Sequence, residues 1–499
     1  MRRLLLIALC IAASGCASRK ALVPPAETTV KPAPVDVTAL IRRGCFPCLE
    51  EALAAAEGEQ AFEVAALLTL RAKELGLPYA DYRRQATATA PPDPAYATYL
   101  EVVDAFPVDV MTGQRYQRDT STSPPVPIDR NAAGAPVRPP GIAERAAGWR
   151  EVLTGGPGSD LFKRYLDLTI GCSLVPRTPQ SPALAPAERD VPLLRYRFGL
   201  CGIEPRDLRA FRDGDPEFVD ADFTLGRIAM GGRPADLDEG LRWMQSARDA
   251  FPASPVIAIS LGVVYDQREE WSESLKVYDA VIAQLPFHRD ALLGRTVALS
   301  HLGRYEDAIA TATQMIDLGE WLMGEAHYWR AWNEFSLRQY QTAREDTDRA
   351  KSRMVNAAVF VLSGLVEWNL FRLPTAESEL EEALKMDFGR CDAAQYLGRV
   401  RVQRRKVPEA LAAFKQAIQC FDLSITVRQK LIADIQAGPG TDATKTRLAA
   451  THQRAIDAAV ADREECRQSM SQSGCQPPVE VDPGLPIRSR RGRENHAQG

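Results

Sequence analysis

Apolar positions between residues 219 and 424 follow the 3.6-residue period of α-helices, in short blocks broken by turn residues. Small residues recur there at intervals of 33 to 35 residues, at Gly240, Ser274, Ala308, Ala343, Ala376 and Ala410. A second row precedes each of them by twelve residues, or by fourteen in the first block: Gly226, Gly262, Thr296, Ala331, Gly364 and Gly398. Two rows of small residues at one period predict pairs of helices that cross closely and stack in register.

This pattern resembles the tetratricopeptide repeat, a helix–turn–helix unit of 34 residues. The resemblance implies an all-α solenoid of six repeats, and helical segments on either side predict additional helices at both ends. It also implies that the first helix of each pair lines a concave face. Proteins of this kind bind other proteins, so a protein or peptide segment is the expected partner.

The predicted concave face is apolar and aromatic in the middle of the array. The offsets within the repeat place eight residues there: Leu293, Val297, Tyr328, Trp332, Phe335, Val361, Leu365 and Trp368. Aromatic anchors of this kind suit an extended apolar segment or a helix. Alternatively, the rings pack against adjacent repeats or are covered by a terminus of the chain. The Lys, Asn and Arg set with which some members hold a peptide carboxylate is missing.

The N-terminus begins with two arginines and a short apolar run, which predict a signal peptide at 1–15. Its small residues ending at Cys16 resemble the lipobox of bacterial lipoproteins. The resemblance implies cleavage after Gly15 and lipidation of Cys16. The residue that follows is Ala17 rather than Asp, which by the same resemblance favours the outer membrane over the inner membrane. The Pro-rich segment 16–37 then acts as a tether. An ordinary secreted signal peptide is the alternative.

The rest of the chain divides by composition. The predicted segments are an N-terminal helical region at 38–118 with possible degenerate repeats, a Pro-rich loop at 119–140, a helical region at 141–218, the six repeats at 219–424, C-terminal capping helices at 425–476, and a disordered tail at 477–499.

Eight cysteines remain outside the signal peptide and the lipidation site, which fits an oxidising compartment. Pairing of sequence neighbours predicts four disulfides: Cys45–Cys48, Cys172–Cys201, Cys391–Cys420 and Cys466–Cys475. The first pair has the C-x-x-C spacing of thiol–disulfide enzymes, although no β-α-β pattern flanks it. A redox centre and a two-cysteine metal site therefore stand beside the structural disulfide as alternatives.

Composition narrows the function classes. A net charge of −4 argues against a nucleic-acid partner. The five histidines are not at metal-ligand spacing, and no nucleophile–base or phosphate-loop motif occurs, so we expect no metal, no cofactor and no catalysis. The sequence predicts a non-catalytic interaction scaffold, lipid-anchored to the outer membrane with its body in the periplasm. The alternatives are a periplasmic thiol-redox protein that uses Cys45 and Cys48, and an unrecognised enzyme within 38–215.

Overall fold

A computed structural model describes residues 35–106, 118–119, 126–127, 142–174, 184–200, 205–232, 235–319, 322–438 and 442–472. The predicted all-α solenoid is confirmed. The helices are α1 Val37–Arg43, α2 Phe46–Ala55, α3 Gly58–Leu75, α4 Ala80–Thr89, α5 Pro94–Ala105, α6 Ile142–Gly155, α7 Asp160–Thr169, α8 Pro192–Gly199, α9 Pro205–Gly214, α10 Asp220–Gly231, α11 Leu237–Ala250, α12 Pro255–Gln267, α13 Trp271–Gln284, α14 Arg289–His301, α15 Tyr305–Asp317, α16 Met323–Ser336, α17 Tyr340–Lys351, α18 Ala357–Asn369, α19 Leu373–Met386, α20 Cys391–Gln403, α21 Val407–Ala437 and α22 Asp442–Gln472.

Shorter elements accompany the helices. A π-helix, Ile170–Leu174, continues α7, and a 3-10 turn, Pro186–Glu188, precedes α8. Two two-residue strands, β1 Arg118–Asp119 and β2 Val126–Pro127, pair antiparallel, and all but Arg118 lie in the stretch predicted as loop at 119–140.

Six consecutive helix pairs, from α10/α11 to α20/α21, form the repeat array. Within each pair the small residues lie at the crossing, and the buried alanines among them are completely shielded from solvent. A Cβ atom added to Gly262 would lie 2.7 Å from the Tyr278 ring, and one added to Gly398 would lie 2.6 Å from Phe414. The close approach of the two helices therefore requires the missing side chain.

The two sides of each crossing are matched in size. Where the first helix carries glycine, the second helix carries a large residue sixteen positions on (eighteen in the first pair): Met244, Tyr278, Leu380 and Phe414. Where the first helix instead carries Thr296 or Ala331, the equivalent residue is the smaller Ala312 or Thr347. The volume at each crossing is conserved although its division between the helices changes.

The first helix of pairs two to six ends in the same backbone motif. The third residue after the helix donates its N–H to a carbonyl five residues back, as Glu270 does to Tyr265 at 2.9 Å. The residue directly before each donor has a positive φ. These residues are Glu269, Gly303, Arg338, Phe371 and Arg405. This is the Schellman arrangement, in which the left-handed residue lets the chain reverse into the second helix. Only one of the five positions is glycine.

The N-terminal helices pack on the beginning of the array. Helix α3 is buried along most of its length, and its core continues into α11 and α12. A buried ionic cluster fixes the junction: Arg71 pairs with Glu74 at 2.8 Å and with Asp220 of α10, and Arg197 pairs with the other oxygen of Glu74. The Arg71 guanidinium also lies 3.7 Å from the centre of the Tyr196 ring. Two cations and two carboxylates thus balance each other in the interior.

The predicted boundary at residue 424 falls inside a helix. Helix α21 begins as the second helix of the sixth pair and continues unbroken to Ala437, because no helix-breaking residue occurs before Gly438. Helix α22 packs along α21 in the antiparallel direction, with Arg463 paired to Asp422 and Lys445 bonded to the Gln436 carbonyl.

The crossing between α12, α13 and α14 gives a test of packing. A Cβ on Gly294 would overlap the Tyr278 ring, which is held by a 2.7 Å hydrogen bond to Asp266. We expect Gly294→Ala to lower the free energy of unfolding by about 1–3 kcal/mol, as measured by urea denaturation. Gly148→Ala in α6 is the matched control, because open space surrounds that glycine. The control should raise stability by up to about 1 kcal/mol, since alanine favours helix. Equal effects of the two substitutions would contradict the tight crossing.

The ionic cluster gives a second test. Arg71→Leu leaves the buried Asp220 carboxylate without its cation, and we expect it to lower the free energy of unfolding by about 3–5 kcal/mol. Arg83→Leu removes an exposed pair with Asp104 and should cost under about 1 kcal/mol. Denaturation curves of the two variants provide the comparison, and a cost for Arg71→Leu as small as the control's would show that the cluster does not hold the junction.

Candidate functional site

Most of the predicted concave residues are buried. Val297, Tyr328, Phe335, Val361, Leu365 and Trp368 are each at most 8% exposed, whereas Leu293 and Trp332 are half-buried. The structure therefore leaves the aromatic groove closed at six of the eight positions. The alternative that the sequence left open, in which these rings are packing material, describes them better.

The physical reason is the stacking of neighbouring first helices. The Trp368 indole N–H of α18 donates to Gln403 of α20 at 2.9 Å, and its ring lies 6.5 Å from that of Tyr396. Within α16, Trp332 stacks on Phe335 with ring centres 6.1 Å apart. The Trp368 side chain thus fills the gap between two successive repeats.

Helix α22 lies against the concave face of the sixth pair. Glu465 accepts a hydrogen bond from Gln395 at 2.9 Å and forms an ion pair with Arg399, and both partners belong to the first helix, α20. On the same helix, Ile456, Ala459 and Cys466 are buried in a hydrophobic cluster that contains residues of α21, along which α22 packs, together with Tyr328, Phe335 and Trp368. The C-terminal helix is therefore part of the covering of this face.

The other end of α22 reaches the first pair of the array. Arg447 donates to Asp236 at 2.6 Å and pairs with Asp238, at the turn between α10 and α11. Asp236 also caps α11, because its side chain accepts the Glu239 N–H at 3.0 Å. One helix thus contacts both the first and the sixth repeat.

Ion pairs join successive repeats at equivalent positions, but the helices that carry the acidic and the basic residue are exchanged from one junction to the next. Arg344 of α17 pairs with Glu367 of α18 at 2.8 Å, and in the next repeat Glu377 of α19 pairs with Arg401 of α20 at 2.8 Å. Glu377 also contacts Arg404 and Lys406, and although burial opposes it, these cations lower the pKa of its carboxyl. The reversal favours the native order of the repeats over other stackings.

The fourth pair contains two carboxyls with large pKa shifts in opposite directions. Burial alone would raise the pKa of Asp346, but hydrogen bonds from Arg330 and His327 lower it to about 2. Burial and the nearby Asp346 charge raise the pKa of Glu334 to about 7. Asp346 belongs to α17, and its partners Arg330 and His327 belong to α16. Their hydrogen bonds therefore hold the two helices of the fourth pair together.

Cys45 and Cys48 form a disulfide at the start of α2. Cys45 caps the helix, and its sulfur accepts the Cys48 N–H at 3.2 Å. Both residues are buried, at 4% and 6% exposure, in a cluster with Tyr196 and Phe218. Exchange with a substrate disulfide needs an accessible sulfur, so this burial favours the structural interpretation over the redox alternative.

The other cysteines divide into bonded and free. The structure joins Cys391 to Cys420, which links the start of α20 to the middle of α21. Cys172 is disulfide-bonded, and Cys201, its predicted partner, lies outside the described residues.

The pairing of Cys466 with Cys475 is wrong for Cys466, which is a free thiol. Its side chain faces inward from α22 into the cluster that includes Trp368 and Tyr396, away from the surface, and Cys475 lies outside the described residues. Burial raises the pKa of the Cys466 thiol to about 12. Nearest-neighbour pairing failed here because sequence distance does not report which face of a helix a cysteine occupies.

Two findings concern metals and membranes. Within the described ranges, no group of three or more His, Cys, Asp or Glu side chains could hold a metal ion. None of the helices in those ranges has the length and apolar character that crossing a membrane requires. Cys16, the predicted lipidation site, lies outside the described residues.

Several solved structures resemble this chain. A tetratricopeptide repeat protein from Parabacteroides merdae has 16% sequence identity and a TM-score of 0.37, over 50% of this chain and 91% of that chain. The APC/C hetero-tetramer Cut9–Hcn1 has 13% identity and a TM-score of 0.36, over 86% and 92%. YrrB, described as a TPR protein with an unusual peptide-binding site, has 18% identity and a TM-score of 0.30, over 36% and 91%. No curated protein matches the sequence.

The sequence model of the tetratricopeptide repeat matches residues 259–320. That stretch contains most of α12 and all of α13, α14 and α15, which are two of the helix pairs described above. The resemblance inferred from the 34-residue spacing is confirmed for this stretch, and the other four helix pairs share its spacing and its small crossing residues.

Proposed function

We propose that this chain is a non-catalytic scaffold for protein–protein interaction, lipid-anchored to the bacterial outer membrane with its body in the periplasm. The observation that carries the proposal is the repeat array itself, because stacked helix pairs build an extended surface suited to binding another chain. Leu293 and Trp332 are the predicted contact residues that keep partial exposure, which supports their proposed role as contacts for a partner segment on the concave face.

The cysteine chemistry supports the compartment. Among the described residues, Cys45–Cys48 and Cys391–Cys420 are complete disulfides, and such bonds persist in oxidising compartments such as the bacterial periplasm. Closing a loop of the size that Cys391 and Cys420 span stabilises a protein by about 3–4 kcal/mol. Both bridges therefore suit a folded body outside the reducing cytoplasm.

The lipid anchor can be tested directly. Acyl chains on Cys16 would hold the protein in the membrane, because each buried methylene contributes about 0.8 kcal/mol. We expect Cys16→Ser to move the protein from the membrane fraction to the soluble fraction, as followed by ultracentrifugation and immunoblotting. Cys466→Ser is the control, because that thiol is buried far along the chain and should leave the distribution unchanged. A Cys16→Ser variant that remains in the membrane pellet would refute lipidation as the anchor.

The binding site can be tested by substituting one tryptophan at a time. We expect Trp332→Ala to weaken partner capture about thirtyfold, as a truncated aromatic anchor typically does, while the melting temperature changes little. Trp368→Ala should instead unfold the array more readily, by about 3–5 kcal/mol, because that ring is buried and hydrogen-bonded to Gln403. Phe371→Ala is the control, since its side chain is 81% exposed at a turn.

The measurement is the ratio of captured protein to bait after affinity purification of the full chain from detergent-solubilised envelope. Capture that survives Trp332→Ala unchanged in a folded protein would place the interaction on another surface. Absence of any stoichiometric protein partner would refute the scaffold proposal itself.

A further inference from the structure

The turns that join the two helices of each pair project from one edge of the array. In pairs two to six, the left-handed residue of the turn follows the end of its first helix by two positions and is exposed to solvent. These tips form the turn edge, which consists of Glu269, Gly303, Arg338, Phe371 and Arg405. Because the five residues occupy the same point of successive repeats, they present their side chains in one row.

Contacts between neighbouring repeats hold the last three turns side by side. Glu367, near the end of α18, pairs at 2.8 Å with Arg344, near the start of α17. In the next repeat, Glu377 near the start of α19 contacts Arg404 and Lys406, which lie in the turn between α20 and α21. The turns of pairs four, five and six are therefore adjacent.

The charge of the turn edge changes along the array. The six-residue turns at 267–272, 301–306, 336–341, 369–374 and 403–408 carry net charges of −1, 0, +1, +1 and +3, with histidine neutral. The last three turns contain no Asp or Glu, although the whole chain has a net charge of −4. A basic edge on an acidic protein attracts a partner that carries negative charge.

The protein itself does not neutralise these cations. Arg338 and Arg405 are exposed, and neither forms an ion pair within the part of the chain that the structure describes. Arg372 lies 3.9 Å from Glu367, which already pairs with Arg344. The turn edge of pairs four to six therefore keeps an excess of positive charge at its surface.

Phe371 places an apolar ring in the middle of this basic edge. Its side chain is 81% exposed, and it occupies the tip between those of Arg338 and Arg405. Its φ of 58° is costly for a bulky residue, and the exposed ring gains no packing that offsets this cost. Cations around an exposed ring match the surface of an anionic bilayer, where arginines meet phosphate groups and the acyl boundary accepts the ring. A row of projecting tips also suits a flat surface.

We propose that the turn edge of pairs four to six binds the surface of an anionic phospholipid bilayer, with its arginines at the phosphate groups and the Phe371 ring at the acyl boundary. This inference goes beyond the proposed function, because it concerns the lipid itself and applies with or without acyl chains on Cys16. The acidic turn of pair two, with Glu269 and Glu270, is repelled by the same surface. The array therefore tilts on the membrane with its sixth pair toward the lipid.

The experiment measures co-sedimentation of the full chain with vesicles at low and at high salt. Every protein carries Cys16→Ser, so that no acyl chain contributes to binding. The vesicles are an equimolar mixture of phosphatidylcholine and phosphatidylglycerol, and pure phosphatidylcholine is the neutral comparison. Each further substitution replaces a left-handed residue with asparagine, which adopts that backbone conformation more readily than other residues, so the turns keep their shape.

We expect Arg338→Asn with Arg405→Asn to weaken binding to the anionic vesicles about thirtyfold, or about fivefold for each cation removed. Phe371→Asn should weaken it about tenfold, and this loss should persist at high salt, because salt screens the cations but not the ring. Glu269→Asn is the matched control at the equivalent tip of pair two, and it should bind at least as tightly as the parent chain. Melting curves by circular dichroism check that each variant is folded.

Three results would overturn the proposal. Equal binding of the parent chain to neutral and anionic vesicles would show that the cations do not attract it. Folded asparagine variants that bind like the parent would move the contact elsewhere, for example to the turns between repeats, where Phe287, Val355 and Phe388 are exposed. A parent chain that binds neither kind of vesicle would remove the bilayer as the occupant of the turn edge.

Failure of this proposal and failure of the scaffold proposal are distinguishable. Capture of a protein partner from detergent-solubilised envelope involves no bilayer, so Phe371→Ala remains a control in that measurement. Vesicle binding, in turn, involves no second protein.

Discussion

The close crossing of two helices within each repeat is the constraint on which the array depends. Glycine, alanine, serine or threonine stands on both helices wherever they cross, and the residue that fills the remaining space changes size to compensate. Tyr278 illustrates this, because its ring lies between Gly262 of its own pair and Gly294 of the next. Packing within a repeat and packing between repeats are therefore the same contact, which makes the stack cooperative.

The features that could be predicted from sequence follow directly from this constraint. Small residues that recur every 34 residues predict how many helix pairs there are, in which order they follow, and which faces of the helices cross closely. The turns carry a weaker sequence signal, because four of the five left-handed positions are not glycine but Glu269, Arg338, Phe371 and Arg405. The Schellman hydrogen bonds at the helix end compensate there for the strained backbone. The length of α21 was also missed, since a repeat pattern indicates where a unit ends but not whether its last helix continues.

The candidate site was predicted less well than the fold. Position within the repeat correctly assigns Tyr328, Phe335 and Trp368 to first helices, but it does not indicate what packs against them. That information lies in contacts between distant parts of the chain, such as Trp368 with Gln403 and Glu465 with Arg399. The buried junction of Arg71 with Asp220 likewise joins residues 149 positions apart, and no periodicity reports such a pair.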